Sequence, residues 1–360
     1  DTDIVTRHAH ALPRMAPRAA ILSCLLAGAG ALRNRMAPEA DVLKRKPSYR
    51  QTLGNMADMQ YFGDIEVGGQ PLKAILDTGS FELVVFSTSC PNCGIAAEYN
   101  EEASSTFLWG TESQTHSYGS GSCDAKDGFD NVAIGTVTSE KLPLWLALKC
   151  DMPLLARASF NAIAGIGPPG QPEYMAKAKM KQLDEIEGRF KQRGEAVPRE
   201  LEVQRAAIEK ALEAAKGKKS MLESFGVTTF STCLGRAPQS AGYLIWNDKT
   251  RAGVEGVQRI PVAGNITWGV SLKDWGFHHN RQDESIACDS GCGSIIDTGT
   301  SLLAVPTPMF NAVAQYVRNL GVDLDCSDLS KFPDLVMTLG GQRLRFPPSA
   351  YLGSYGGQMS

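Results

Sequence analysis

The sequence predicts a mainly β chain of two domains with a helical insertion, and three observations carry that prediction. Runs such as YFGDIEVGG (61–69), PLKAILDTG (71–79) and LVVFSTS (83–89) set Val, Ile, Leu and Phe between Gly, Asn and Asp, the pattern of short strands joined by turns. Gly is abundant, 36 of 360 residues, which supplies the tight turns that many short strands need. The chain also says nearly the same thing twice, AILDTGSFELVVF at 74–86 and SIIDTGTSLLAVP at 294–306. A chain of 360 residues is long enough to bury two cores.

Along the chain, residues 13–31 place Arg14 and Arg18 ahead of an apolar stretch, Ala19 to Gly30. That stretch is too short to span a bilayer and ends in small residues. Residues 1–31 therefore read as a leader with a secretory signal peptide, Met15 being a candidate initiator; the competing reading is a buried helix. No other stretch reaches transmembrane length, so no stable membrane insertion is expected. Residues 32–59 set Arg33, Arg35, Lys44, Arg45, Lys46 and Arg50 against Glu39, Asp41 and Asp58. They read as a basic prosegment lying over an acidic cleft, or as a plain linker.

The N-terminal β lobe spans 60–243 and is interrupted at 172–222 by a segment rich in Ala, Lys and Glu. Met180, Leu183, Ile186 and Phe190, then Leu201, Ile208 and Leu212, recur at helical steps, with Gly194 and Pro198 as breakers between them. This predicts two helices on the surface; a docking coiled coil would need sustained heptads. The C-terminal β lobe, 244–360, resumes with GYLIW, RIPV, ITWGVSL, SIIDTG, LVMTLGG and LRFPP.

A net charge of −3 with 21% charged residues gives no support for nucleic acid or an anionic membrane as a partner. A monomer is expected. Of nine cysteines, Cys24 lies in the leader. Cys90 and Cys93 (CPNC), and Cys288 and Cys292 (CDSGC), could close small loops, and Cys123 with Cys150 could tie two strands, as a secretory context allows. CPNC follows a strand and opens no helix, so a structural disulfide is preferred to a redox pair. Cys233 and Cys326 have no obvious partners. Asn265, in Asn265-Ile266-Thr267, is a candidate N-glycosylation acceptor. His8/His10 and His278/His279 have no accompanying ligand set, so no metal is expected. No Gly-rich phosphate loop opens a helix, and no Ser/His/Asp spacing stands out.

The doubled stretch carries the chemistry. An Asp ending a buried apolar run is costly unless it is hydrogen-bonded or functional. Gly79 and Gly299 let the backbone turn tightly beside each carboxylate, and Ser80 and Thr300 offer hydroxyl donors. If the turns face each other, Asp77 and Asp297 cannot both ionise cheaply and would share one proton, as in aspartic proteases. One carboxylate then takes a proton from a held water while the other protonates a substrate carbonyl. Such a site needs no cofactor.

With these residues in view, the sequence resembles the pepsin-like (A1 family) aspartic endopeptidases over about Asn55 to Tyr355. YFGDIEVGG matches the family's opening strand, CDSGCGSIIDTGTSLLAVP its second active-site turn, and FPDLVMTLGG with FPPSAYL a later hairpin. The resemblance implies a bilobal pepsin-like fold and an acid-active endopeptidase, made as a zymogen in the secretory pathway and secreted or vacuolar/lysosomal. Peptide or protein substrates would bind extended in the cleft. It implies Asp77 and Asp297 as the dyad, with Thr78, Gly79, Ser80, Thr298, Gly299 and Thr300 orienting it. HSYGSGS (116–122) would form the flap, with Tyr118, Gly119 and Ser120 against substrate, and Ile163, Ala164 and Gly165 would brace the first turn. Two departures stand out. Val84 occupies the position where the family places a Trp against the flap Tyr, which leaves Trp109 or Phe81 to take part. The resemblance also implies strands beyond Ser360, including a brace for Asp297 and a partner for Cys326. The alternative is therefore an inactive or truncated pepsin-like protein that only binds peptides.

Overall fold

The computed structural model describes residues 48–352 except 236, 238, 252 and 322–327, with the backbone alone of 171–172 and of 2–7, 24–29, 354–355 and 358–359. Most of the predicted signal peptide, residues 32–47 of the predicted prosegment, His8, His10 and Cys326 lie outside the described residues. The strands are β1 (Thr2–Arg7), β2 (Cys24–Ala29), β3 (Tyr49–Met56), β4 (Gln60–Val67), β5 (Gln70–Asp77), β6 (Leu83–Phe86), β7 (Leu108–Tyr118), β8 (Gly121–Ile134), β9 (Val137–Asp151), β10 (Ala162–Gly165), β11 (Thr229–Cys233), β12 (Gly242–Trp246), β13 (Val257–Pro261), β14 (Gly269–His279), β15 (Gln282–Ala287), β16 (Cys292–Ile295), β17 (Asp334–Leu339) and β18 (Gln342–Phe346). The helices are α1 (Gln171–Gln192), α2 (Arg199–Ala215), the single turn α3 (Met221–Ser224) and α4 (Thr307–Asn319). The chain thus has the mainly β, bilobal pepsin-like fold.

The larger sheet runs in the order β13-β1-β2-β11-β12-β3-β4-β5-β10-β6-β9-β8-β7, with β4 also meeting β8. Of its two longest strands, β8 alternates buried with less buried residues over most of its length, as a half-buried pleat requires, while β9 is continuously buried over Leu144–Ala147. Leu76, Leu83, Val85, Leu146, Ala162 and Ala164 are buried in one continuous core. β6 and β10, at the centre of this sheet, read as continuous apolar runs because both their faces are covered, whereas β5 alternates until its last residues. The smaller sheet runs β15-β14-β17-β18, with β16 beside β14. Residues 2–7 and 24–29, read from sequence as leader, form strands here, β2 pairing with β11 and β1 with β13.

The charged insert folds as α1 and α2 packed on each other. Leu183 is buried, and Arg205 of α2 bonds Glu187 at 2.9 Å and Asp184 at 2.5 Å on α1. Gly194 follows α1 and Pro198 precedes α2. Three disulfides, Cys90–Cys93, Cys123–Cys150 and Cys288–Cys292, are present among the described residues. Cys123 and Cys150 sit opposite each other in the β8–β9 ladder, so the cross-link follows from the register. Asn265 is exposed in the turn between β13 and β14.

Candidate active site

Asp77 is the last residue of β5, and its position is fixed by pairing. β10 lies parallel to β5, with Gly165 opposite Asp77, and the amide of Ile166 donates to the Asp77 carbonyl at 2.8 Å. The amide of Gly167 donates to the Ser80 carbonyl at 2.9 Å, which closes the loop after the turn. Ile163–Gly165 and the two residues after them thus run alongside the first turn and bond to it.

The second turn follows β16 and meets the first head-on. The Thr78 amide donates to Thr298 Oγ1 at 3.0 Å, and the Thr298 amide donates to Thr78 Oγ1 at 2.9 Å. Each hydroxyl also donates across the junction, Thr78 Oγ1 to the Ile296 carbonyl at 2.7 Å and Thr298 Oγ1 to the Leu76 carbonyl at 2.5 Å. Only a side chain that both accepts and donates can do this. The same reciprocity explains why neither turn could shift alone.

These bonds bring the carboxylates together. A Cβ added at Gly79 would lie 2.6 Å from Asp297 Cγ, and one added at Gly299 would lie 2.2 Å from Asp77 Oδ1. Glycine is therefore required at both positions by close approach. Asp77 Oδ1 accepts from the Gly79 amide at 2.8 Å. Asp297 accepts from the Gly299 amide at 2.8 Å and from the Thr300 hydroxyl at 2.5 Å. Ser80, the counterpart of Thr300, acts on Asp77 in the direction that lowers its pKa, yet its buried Oγ closes no well-aligned hydrogen bond. Burial outweighs it: desolvation first, then the charge and hydrogen bond of Asp297, push the Asp77 carboxyl up to about 6.

The predicted flap is the β7–β8 hairpin, which turns through Gly119 and Ser120 between the paired Tyr118 and Gly121. Gly119 and Ser120 are exposed, whereas Tyr118 is half-buried against the cluster of Val84, Phe86, Trp145 and Ile163. Burial, then the charges of Asp77 and Glu82, hold its phenol protonated. Trp109 and Phe81, the aromatic residues expected there, have their contacts elsewhere. Trp109 is 46% exposed, edge-on to Phe107 and under Lys126. Phe81 packs beside Gly167. Instead Trp145 of β9 stands in register with Val84.

One further residue escaped the sequence reading. Trp268 donates its indole N–H to the Ile166 carbonyl at 2.8 Å, so a residue ahead of the second turn holds the loop that supports the first. Its place in ITWGVSL gave no signal beyond an apolar strand. His278 bonds Asp283 at 2.5 Å, and Arg343 bonds the same carboxylate, so its partners are structural. Among the described residues, a group with metal-ligand spacing occurs only at Cys90, Cys93 and Cys150, all three already in disulfides.

Comparison with known proteins agrees with this geometry. The family profile described as eukaryotic aspartyl protease matches residues 60–188 and 221–359, the gap falling on α2 and its flanks. Pepsin A of Canis lupus familiaris is 28% identical over 322 residues, covering 84% of this chain and 70% of its own length. Pepsin A of Bos taurus is 28% identical over 314 residues, covering 84% and 73%. Pepsin II-2/3 of Oryctolagus cuniculus is 27% identical over 311 residues, covering 84% and 70%. Two facing Asp-Thr-Gly turns in a bilobal β fold, together with a profile match across most of the chain, show that it belongs to the eukaryotic aspartyl protease family and is an aspartic-type endopeptidase.

Proposed function

We propose that Asp77 and Asp297 are the catalytic pair of this endopeptidase and that it hydrolyses extended peptides in acid. The observation that carries the reading is the reciprocal Thr78–Thr298 bonding, which holds the two carboxyls in mutual contact. Below about pH 6 the buried Asp77 keeps the shared proton. Asp297, less buried and bonded by Gly299 and Thr300, is the base. A water between them gives a proton to Asp297 and attacks the peptide carbonyl carbon, while Asp77 gives its proton to the carbonyl oxygen. The tetrahedral diol collapses as Asp297 passes its newly gained proton to the amide nitrogen and a diol hydroxyl returns a proton to Asp77, releasing acid and amine without a covalent enzyme intermediate. Thr78, Gly79, Ser80, Thr298, Gly299 and Thr300 orient the pair, and the flap residues Tyr118, Gly119 and Ser120 cover the peptide.

The same reading makes residues 32–59 a prosegment of a zymogen, 13–31 a secretory signal and Asn265 a glycan acceptor, and places the enzyme in the secretory pathway as a monomer. No described helix is long and apolar enough to cross a membrane. The decisive experiment compares wild type with Asp77→Asn and Asp297→Asn on an unstructured peptide at pH 3–5. Wild-type cleavage that a statine-containing peptide blocks, and that each variant loses by at least 10³-fold, is expected, the scale for removing an acid or base. Cleavage surviving in either variant overturns the pair. A folded wild type that binds the statine peptide and never cleaves would make it a peptide-binding protein.

A further inference from the structure

Behind the flap, and unused by the mechanism, lies a second pair of titratable side chains. His116 sits on β7, two residues before Tyr118, with only 8% of its side chain exposed. Its Nδ1 is 3.5 Å from Glu82 Oε2, and its ring meets Trp145 edge-on at 5.0 Å between centroids. Its Nε2 is buried and bonds nothing. The Trp145 indole and the positive charge of Lys218, where the chain returns from α2, both act on the Glu82 carboxylate in the direction that lowers its pKa. Lys218 also reaches Glu112 on β7 at 3.9 Å.

Glu82 is the fixed end of this cluster. Its carbonyl accepts from the Gly165 amide at 3.0 Å, and a Cβ at Gly165 would lie 2.4 Å from the Glu82 nitrogen, so its backbone is clamped to the strand beside Asp77. β7 is the free end, since it forms the outer edge of its sheet and pairs only with β8. A carboxylate rooted next to the first turn therefore reaches across to the edge strand that carries Tyr118.

We propose that Glu82 is a flap-positioning residue: together with His116 and Trp145 it ties β7 to the first active-site turn and so sets where Tyr118 sits over the cleft. This rests on the catalytic reading of Asp77 and Asp297. It also accounts for Val84, because Trp145, its partner in register, supplies an indole to the same region. Glu82 keeps 40% of its side chain exposed but is hemmed in enough that desolvation raises its pKa, against the Trp145 indole and the Lys218 charge. Burial lowers His116 to about 4, so the imidazole is neutral over most of the acid range. The groups facing Glu82 are His116 and Tyr118 from β7, Trp145 from β9 and Lys218 from the returning segment.

The test uses the full chain, with Glu82→Ala, Glu82→Gln, His116→Phe and the Glu82→Ala/His116→Phe double variant. Melting temperature, kcat, KM and the pH profile are measured on one neutral peptide and one carrying Lys at varied positions. Glu82→Ala should lower kcat/KM about tenfold, the scale of one lost hydrogen bond to a charged group. The double variant should lose no more than the worse single one, since both cut one tie. Glu82→Gln accepts from Trp145 and donates to neutral His116, so it should restore activity near pH 5. Below about pH 4 it should lose it again, because protonated His116 carries a hydrogen on both ring nitrogens and has no lone pair left to accept the Gln amide N–H. Additive losses, a flat pH ratio between Gln and Glu, or an effect confined to the Lys peptide would overturn the proposal. If Glu82→Ala does not fold, the Gln profile decides. Activity in Asp77→Asn, measured alongside, would reveal failure of the catalytic pair instead.

Discussion

Thr78 and Thr298 each use one hydroxyl as acceptor and donor at once, and the site depends on that double use more than on any apolar contact. Thr298→Val keeps the shape but strands the Thr78 amide and frees the Leu76 carbonyl, while Thr298→Ser keeps both bonds. Unmade buried bonds cost about 1–3 kcal/mol each. We therefore expect Thr298→Val to lower the unfolding free energy by about 2–4 kcal/mol and to abolish most activity, with Ser near wild type; urea titration and peptide cleavage check both. Gly299→Ala tests the close approach directly. Its Cβ would sit on Asp77 Oδ1, so activity should vanish while the fold, read by circular dichroism, survives. Each Asp-Thr-Gly was legible as a unit. That their threonines bond each other was not, because the pairing crosses 220 residues of sequence.

At the scale of elements, the flap and the insert behave oppositely. The flap's returning strand β8 is cross-linked to β9 through Cys123–Cys150, only a few residues from the tip. Replacing both cysteines by Ser removes a bridge of sequence separation 27, and a loss of about 2–4 kcal/mol in unfolding free energy is expected. The insert instead holds itself together. Arg205→Ala removes the partner of Glu187 and Asp184, and should speed amide exchange along α1 and α2 while leaving exchange in β5 and β10 unchanged. Helical periodicity predicted both helices because Leu183, Leu201, Ile208 and Leu212 recur on one face of each. The indole beside the flap was not legible, since Trp145 and Val84 become neighbours only through the β6–β9 pairing.

At the scale of the whole molecule, two buried groups pull stability in opposite directions with pH. Asp77 is raised to about 6 from 3.8, so the folded state holds a proton the unfolded chain releases; its contribution is full below pH 3.8 and is lost as pH rises through 6. His116 is lowered to about 4 from 6.5; its contribution is full above pH 6.5 and is lost as pH falls through 4. Over pH 4–6 the two slopes oppose, so the melting temperature should vary little there in wild type. In Asp77→Asn it should instead rise with pH across the same window, which a calorimetric pH series reads out. Peptidase activity should fall as pH rises through about 6, where the pair loses its shared proton.

The sequence by itself determined the class of chemistry, the mainly β fold and the helical insertion, because these rest on local signals: apolar alternation, turn glycines, helical spacing and a tripeptide repeated in matching surroundings. Which groups share the site depends on how distant segments meet in the fold. Trp268 on the Ile166 carbonyl, Trp145 beside Val84, and Glu82 against His116 each join residues from distant parts of the chain. Strand order and register set those meetings, and no window of the sequence contains them. The doubled Asp-Thr-Gly could announce two carboxylates, but the distance between them is a property of the folded lobes.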